Sequence, residues 1–117
     1  MSKIETSDWS AIIDRKSVPP VLLVAGIVNA PDKMLAFLVK KVPQGFVKEN
    51  LLLDLGIVNG IVPVNNPQPV TYTERLDKDV NYQSVEIFYE GERIEIVKVT
   101  EYGKVLVNGI GSDVPRG

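Results

Sequence analysis

The side chains available for chemistry in this sequence are carboxylates, hydroxyls, amides and the cations of Lys and Arg, because it contains no His and no Cys. Those two zeros remove Ser-His-Asp triads, cysteine nucleophiles, zinc sites of the usual ligand sets and disulfide scaffolds. Among what remains, Asp77-Lys78-Asp79-Val80-Asn81 is the best candidate for a metal. Alternate oxygens at Asp77, Asp79 and Asn81 have the spacing of the first half of a calcium loop. The pattern then breaks: Tyr82 stands where the loop needs Gly, and Phe88 where it needs a bidentate Glu. An acidic turn between strands explains the segment more simply.

Acid–base hydrolysis would need two carboxylates facing each other. Asp54 is the one carboxylate set inside an apolar run, Leu51 to Val58. On a strand it shares a face with Leu52 and opposes Leu51, Leu53 and Leu55, and a pairing with Lys40 or Lys41 accounts for it. Glu86, Glu92 and Glu95 read as outward positions of a hairpin that protect a sheet edge. No catalytic residue is assigned and no cofactor is expected. Gly56 and Gly60 lack the spacing of a phosphate loop. Lys40, Lys41 and Lys48, with Phe37 and Phe46, are the nearest approach to a nucleic-acid surface, but a net charge of −2 leaves no basic footprint. Neither nucleic acid nor membrane is expected as a partner.

Recognition of another protein, or of a second copy, is the chemistry these residues fit best. Leu55 to Thr73 carries no charge and includes Val64-Asn65-Asn66-Pro67-Gln68-Pro69. Interface centres are depleted of charge, and a stiff proline-bearing loop costs little entropy to dock. Trp9, the single Trp, is a second candidate anchor, unless it packs over an open end of the fold. The alternative is a small-ligand, carbohydrate or calcium binder, or a carboxylate-dependent hydrolase, built on Asp54 and the 77–81 loop.

These residues must be carried by strands. After Pro19-Pro20, apolar runs alternate with turn signals: Val21–Val28, Met34–Val42, Leu51–Val58, Val70–Leu76, Gln83–Tyr89, Arg93–Val99 and Lys104–Val107. Val70, Tyr72 and Leu76 share one face, as do Val85, Ile87 and Tyr89. The apolar phase slips between Ile96 and Val97, which implies a β-bulge in that strand. Pro43-Gln44-Gly45 and Glu90-Gly91 read as turns, and Asn59-Gly60 as a type I′ hairpin turn. Ser7 to Lys16 fits a short helix, with Trp9, Ile12 and Ile13 on one side.

The expectation is an all-β chain: a small antiparallel β-sandwich, Ig-like or barrel-like, of six to seven strands with a short N-terminal helix. The arm spans residues 1–17, the β-domain 18–110 and a flexible tail 111–117. The Cys-Trp-Cys signature of immunoglobulin domains is missing. Residues 21–30 (VLLVAGIVNA) and 51–60 (LLLDLGIVNG) agree at six of ten positions, and the match stops on either side. It is read as two buried strands that each need Gly near the end and a turn-forming Asn. The length of 117 residues suits one domain, and 44% apolar with 24% charged residues is ordinary for a globular protein. The first seventeen residues contain no long apolar stretch, so no secretory signal is read and a cytoplasmic location is the default.

Overall fold

The computed structural model describes residues 4–31, 34–60, 64–77 and 79–103. They form seven strands: β1 (Glu5–Asp14), β2 (Val21–Asn29), β3 (Met34–Lys40), β4 (Asn50–Asn59), β5 (Gln68–Arg75), β6 (Ser84–Tyr89) and β7 (Glu92–Tyr102). No helix occurs among the described residues. The strands make one sheet in the order β3-β4-β6-β7-β1-β2-β5, whose two outer strands approach each other, so the sheet nearly closes into a barrel.

Four expectations are corrected. Residues Ser7–Lys16 are not a short helix: Glu5–Asp14 is a ten-residue strand inside the sheet, paired with β2 on one side and β7 on the other. Two helical turns do not persist alone in water, whereas the run Ala11-Ile12-Ile13 gains two ladders and buries Ala11 and Ile13 as a strand. The architecture is barrel-like, not a sandwich, because β7 serves both halves. Its residues 92–98 pair with β6 and its residues 99–102 with β1, so the sheet is continuous. Nor is the pairing wholly antiparallel, since β1 with β7 and β4 with β6 are parallel. Among the described residues no strand returns along β4 from Asn59-Gly60 as the expected hairpin: β4 pairs with β3 and β6, and β5 pairs with β2.

The core follows from alternation. Leu51, Leu53 and Leu55 of β4, Val85 and Ile87 of β6, and Leu22, Val24 and Val28 of β2 point inward and are buried. Each such side chain contributes about 1.5–3 kcal/mol relative to an exposed position. The outward residues are less covered than the apolar run Val21–Val28 suggested: Leu23 is exposed, so β2 is not buried on both faces. The bulge in β7 is real but sits earlier than its sequence position, where Ile94 is extra between the Phe88–Arg93 and Ile87–Glu95 pairs. Glu90 and Gly91 both have positive φ, 52° and 82°, in the two-residue β6–β7 turn. The strand expected at Lys104–Val107 and the tail 111–117 lie outside the described residues.

The seam between β3 and β5 has no backbone ladder among the described residues and is closed by side chains. Gln68, almost completely buried, accepts from the Ala36 N–H at 2.9 Å and donates through Nε2 to the Met34 carbonyl at 3.0 Å. Its amide thus satisfies one donor and one acceptor on the β3 edge, as a neighbouring strand would. Asn66 supports it, taking a second Nε2–H bond at 2.9 Å and the Ala30 N–H at 3.1 Å. Farther along, Lys40 of β3 meets Glu74 of β5 at 3.5 Å.

Candidate functional site

The parallel pairing of β1 and β7 covers only Ala11–Asp14 against Val99–Tyr102. Below Ala11 the two strands diverge. Residues 5–10 of β1 keep β2 on their far side, and residues 92–98 of β7 keep β6 on theirs, so their facing edges have no ladder partner among the described residues. Two sequence features open this split. A bulge in β1 between Ser7 and Ser10, with Asp8 at φ 56°, turns that strand. The Ile94 bulge turns β7 at the same level. Bulges increase local twist and end pairing, which is what parts the strands here.

The split is a groove in two parts. The wider part has about 620 Å³ and lies between Ile4–Ser7 and Ile94–Glu95, with Ile27, Asn29 and Pro67 at its end. The narrower part has about 350 Å³ and lies between Trp9–Ile12 and Glu95–Lys98, with Thr100. Trp9 is anchored rather than swinging. Its Nε1–H donates to the Thr6 hydroxyl at 2.9 Å, and its ring lies over Gly26, where any Cβ would overlap the indole. Phe37 of β3 lies over Gly56 of β4 in the same way. The repeated Gly-Ile-Val-Asn therefore marks two hairpins in which an aromatic of the first strand fills the space over a glycine of the second.

Trp9 and Pro67, both read from the sequence as partner-binding residues, line separate parts of this groove, Trp9 the narrower and Pro67 the wider. The rest of that segment is used elsewhere. Asn66 and Gln68 are bonded within the β3–β5 seam, Pro69 lies in β5, and Val64 and Asn65 precede the seam without lining the groove. Ile94 and Glu95 were not singled out as binding residues. The phase slip in β7 signalled the bulge that presents them, but nothing local indicated that β1 would lie opposite.

The other candidates resolve differently. Asp77 and Asn81 are engaged in local and cross-strand hydrogen bonds. The Asp77 carbonyl accepts the Val80 N–H in a turn, and Asn81 Oδ1 accepts from Arg15 at 3.5 Å. Asp54 faces outward and pairs with Lys41 at 3.5 Å, as the strand phase implied. Lys41 also sits over Phe88, 5.1 Å from the ring centre, and Lys40 is held by Glu74, so both lysines are neutralised.

Glu74 sits at the barrel end on the inward face of β5. It accepts the Tyr72 hydroxyl at 2.7 Å and the Tyr82 hydroxyl at 2.9 Å. Burial, then the hydrogen bond to Glu74 and its charge, push both phenols above their ordinary value of 10.0. A groove of about 350 Å³ lies beside it, lined by Lys40, Gln44, Lys48, Asp79 and Tyr82 among others. The carboxylate, both phenols and Lys40 are thus engaged with one another, and Gln44 is bonded to the backbone of Lys41 and Leu52. Comparison of the chain with protein-family models, with curated proteins and with solved structures finds no match.

Proposed function

We propose that this protein is a non-enzymatic binding module that takes an extended polypeptide segment between β1 and β7. The observation that carries this reading is the arrested β1–β7 pairing, which leaves two strand edges facing each other across a groove. A segment laid there would gain main-chain hydrogen bonds on either side, the chemistry of strand addition, while its alternate side chains meet the groove walls. Trp9, held rigid by Thr6 and Gly26, offers a preorganised aromatic contact, which limits the entropy lost on binding.

The test is selection of random linear peptides displayed on phage against the immobilised full chain, followed by amide hydrogen exchange of the chain with each selected peptide. Protection concentrated in Glu5–Ser10 and Glu92–Lys98 is the expected result. Failure to select any peptide, or protection only in other strands, overturns the reading.

A further inference from the structure

We infer that the segment accepted by the β1–β7 split is basic: it carries a Lys or Arg set among apolar residues, and Glu95 is the residue that selects it. This inference rests on the proposed strand-binding reading. Glu95 borders both parts of the groove and so stands at the middle of the split. Glu5 lines the wider part with it. Neither carboxylate lies within ion-pair distance of a Lys or Arg among the described residues, whereas the nearby Arg93 is committed to Glu86 at 3.3 Å. Among the described residues the one cation lining the groove, Lys98, belongs to its narrow part.

The wider part therefore has a specific composition. Ile4, Ile27 and Ile94 supply apolar wall, and Glu5 and Glu95 supply negative charge on either side of it. Strand addition brings the incoming chain within main-chain hydrogen-bond distance of β7, so a side chain beside Glu95 is forced close to its carboxylate. A like charge there is repelled and a cation is attracted, which gives selectivity more than raw affinity. An acidic segment fits poorly, and so does a second copy of this chain presenting Glu92–Lys98, which would bring Glu95 towards its equivalent.

The experiment uses synthetic versions of the phage-selected peptides and three proteins: the unaltered chain, Glu95→Gln and Glu95→Lys. Selected peptides are expected to be enriched in Lys or Arg, and their affinity to fall as salt is raised. Glu95→Lys is expected to weaken binding roughly tenfold and Glu95→Gln by less, while a peptide with its Lys changed to Glu binds Glu95→Lys better than it binds the unaltered chain. Circular dichroism melts of both variants control for folding. Peptides that protect the split but show no basic enrichment, no salt dependence and unchanged affinity for Glu95→Lys overturn this inference and leave the strand-binding reading standing. If no peptide protects the split, that reading fails and this inference fails with it. If the chain self-associates in sedimentation and protects its own split without peptide, the occupant is a second copy and the inference is overturned.

Discussion

At the scale of single residues, three positions hold the fold in ways that chemistry makes testable. Gly26 is required because the Trp9 ring occupies the space of a side chain. Gly26→Ala is expected to cost about 1–3 kcal/mol in urea unfolding, as overpacking does, and pairing it with Trp9→Leu should recover part of the loss. Equal and additive losses in that cycle would show that the ring and the glycine are not coupled. Gln68 is the buried amide that ends the β3 edge. Gln68→Leu keeps the volume but strands the Ala36 N–H and the Met34 carbonyl, so a loss of about 2–3 kcal/mol is expected. A variant as stable as the parent would refute the clasp. Glu90 adopts φ 52° in a turn that favours Asn before Gly. Glu90→Asn should therefore raise the melting temperature, with a stabilisation of about 0.5–1 kcal/mol.

The seam between β3 and β5 is the element that holds the barrel shut, and it carries two expectations. Met34–Val39 is uncharged, free of Gly and Pro, and apolar on both faces, with Leu35, Phe37 and Val39 exposed. Such a segment pairs readily with copies of itself once its edge is free. Gln68→Leu should accordingly aggregate faster than an equally destabilised variant elsewhere, read by light scattering at matched stability. The second expectation concerns pH. Tyr72 and Tyr82 keep their protons above the ordinary tyrosine value in the folded state, while the unfolded chain titrates at about 10. Their contribution is complete below that value and declines as pH rises through and above it, because the unfolded state then releases protons the folded state retains. The double variant Tyr72→Phe, Tyr82→Phe should lose stability less steeply above pH about 10; equal slopes would exclude the phenols as the cause.

For the whole molecule, the decisive arrangement is one long strand shared by two halves of a sheet. β7 pairs with β6, then crosses to β1, and the place where it crosses is where β1 and β7 part. Closure of the barrel and the opening of the groove thus meet on one strand, and the bulges in β1 and β7 set where the pairing stops. The candidate site is built from segments about ninety residues apart in the chain.

The sequence by itself determined the period. Alternation placed Leu51, Leu53 and Leu55 inward and Asp54 outward, put Val85 with Ile87, located the Glu90-Gly91 turn, and required a bulge in β7, because a strand has only two faces and apolar side chains must share one. It also confined the available chemistry, through its lack of His and Cys, to carboxylates, hydroxyls, amides and the cations of Lys and Arg. Pairing was decided only by the tertiary structure. The period of β1, with Trp9, Ile12 and Ile13 spaced to suit one side of a helix, is overridden by ladders with β2 and β7, which no local window contains. The same holds for Gln68: its side chain reads as an exposed loop amide until β3 is brought beside it, and for Glu95, whose neighbours across the groove come from the other end of the chain. Which strand lies beside which depends on contacts remote in sequence, and that is where both the barrel and its open edge were fixed.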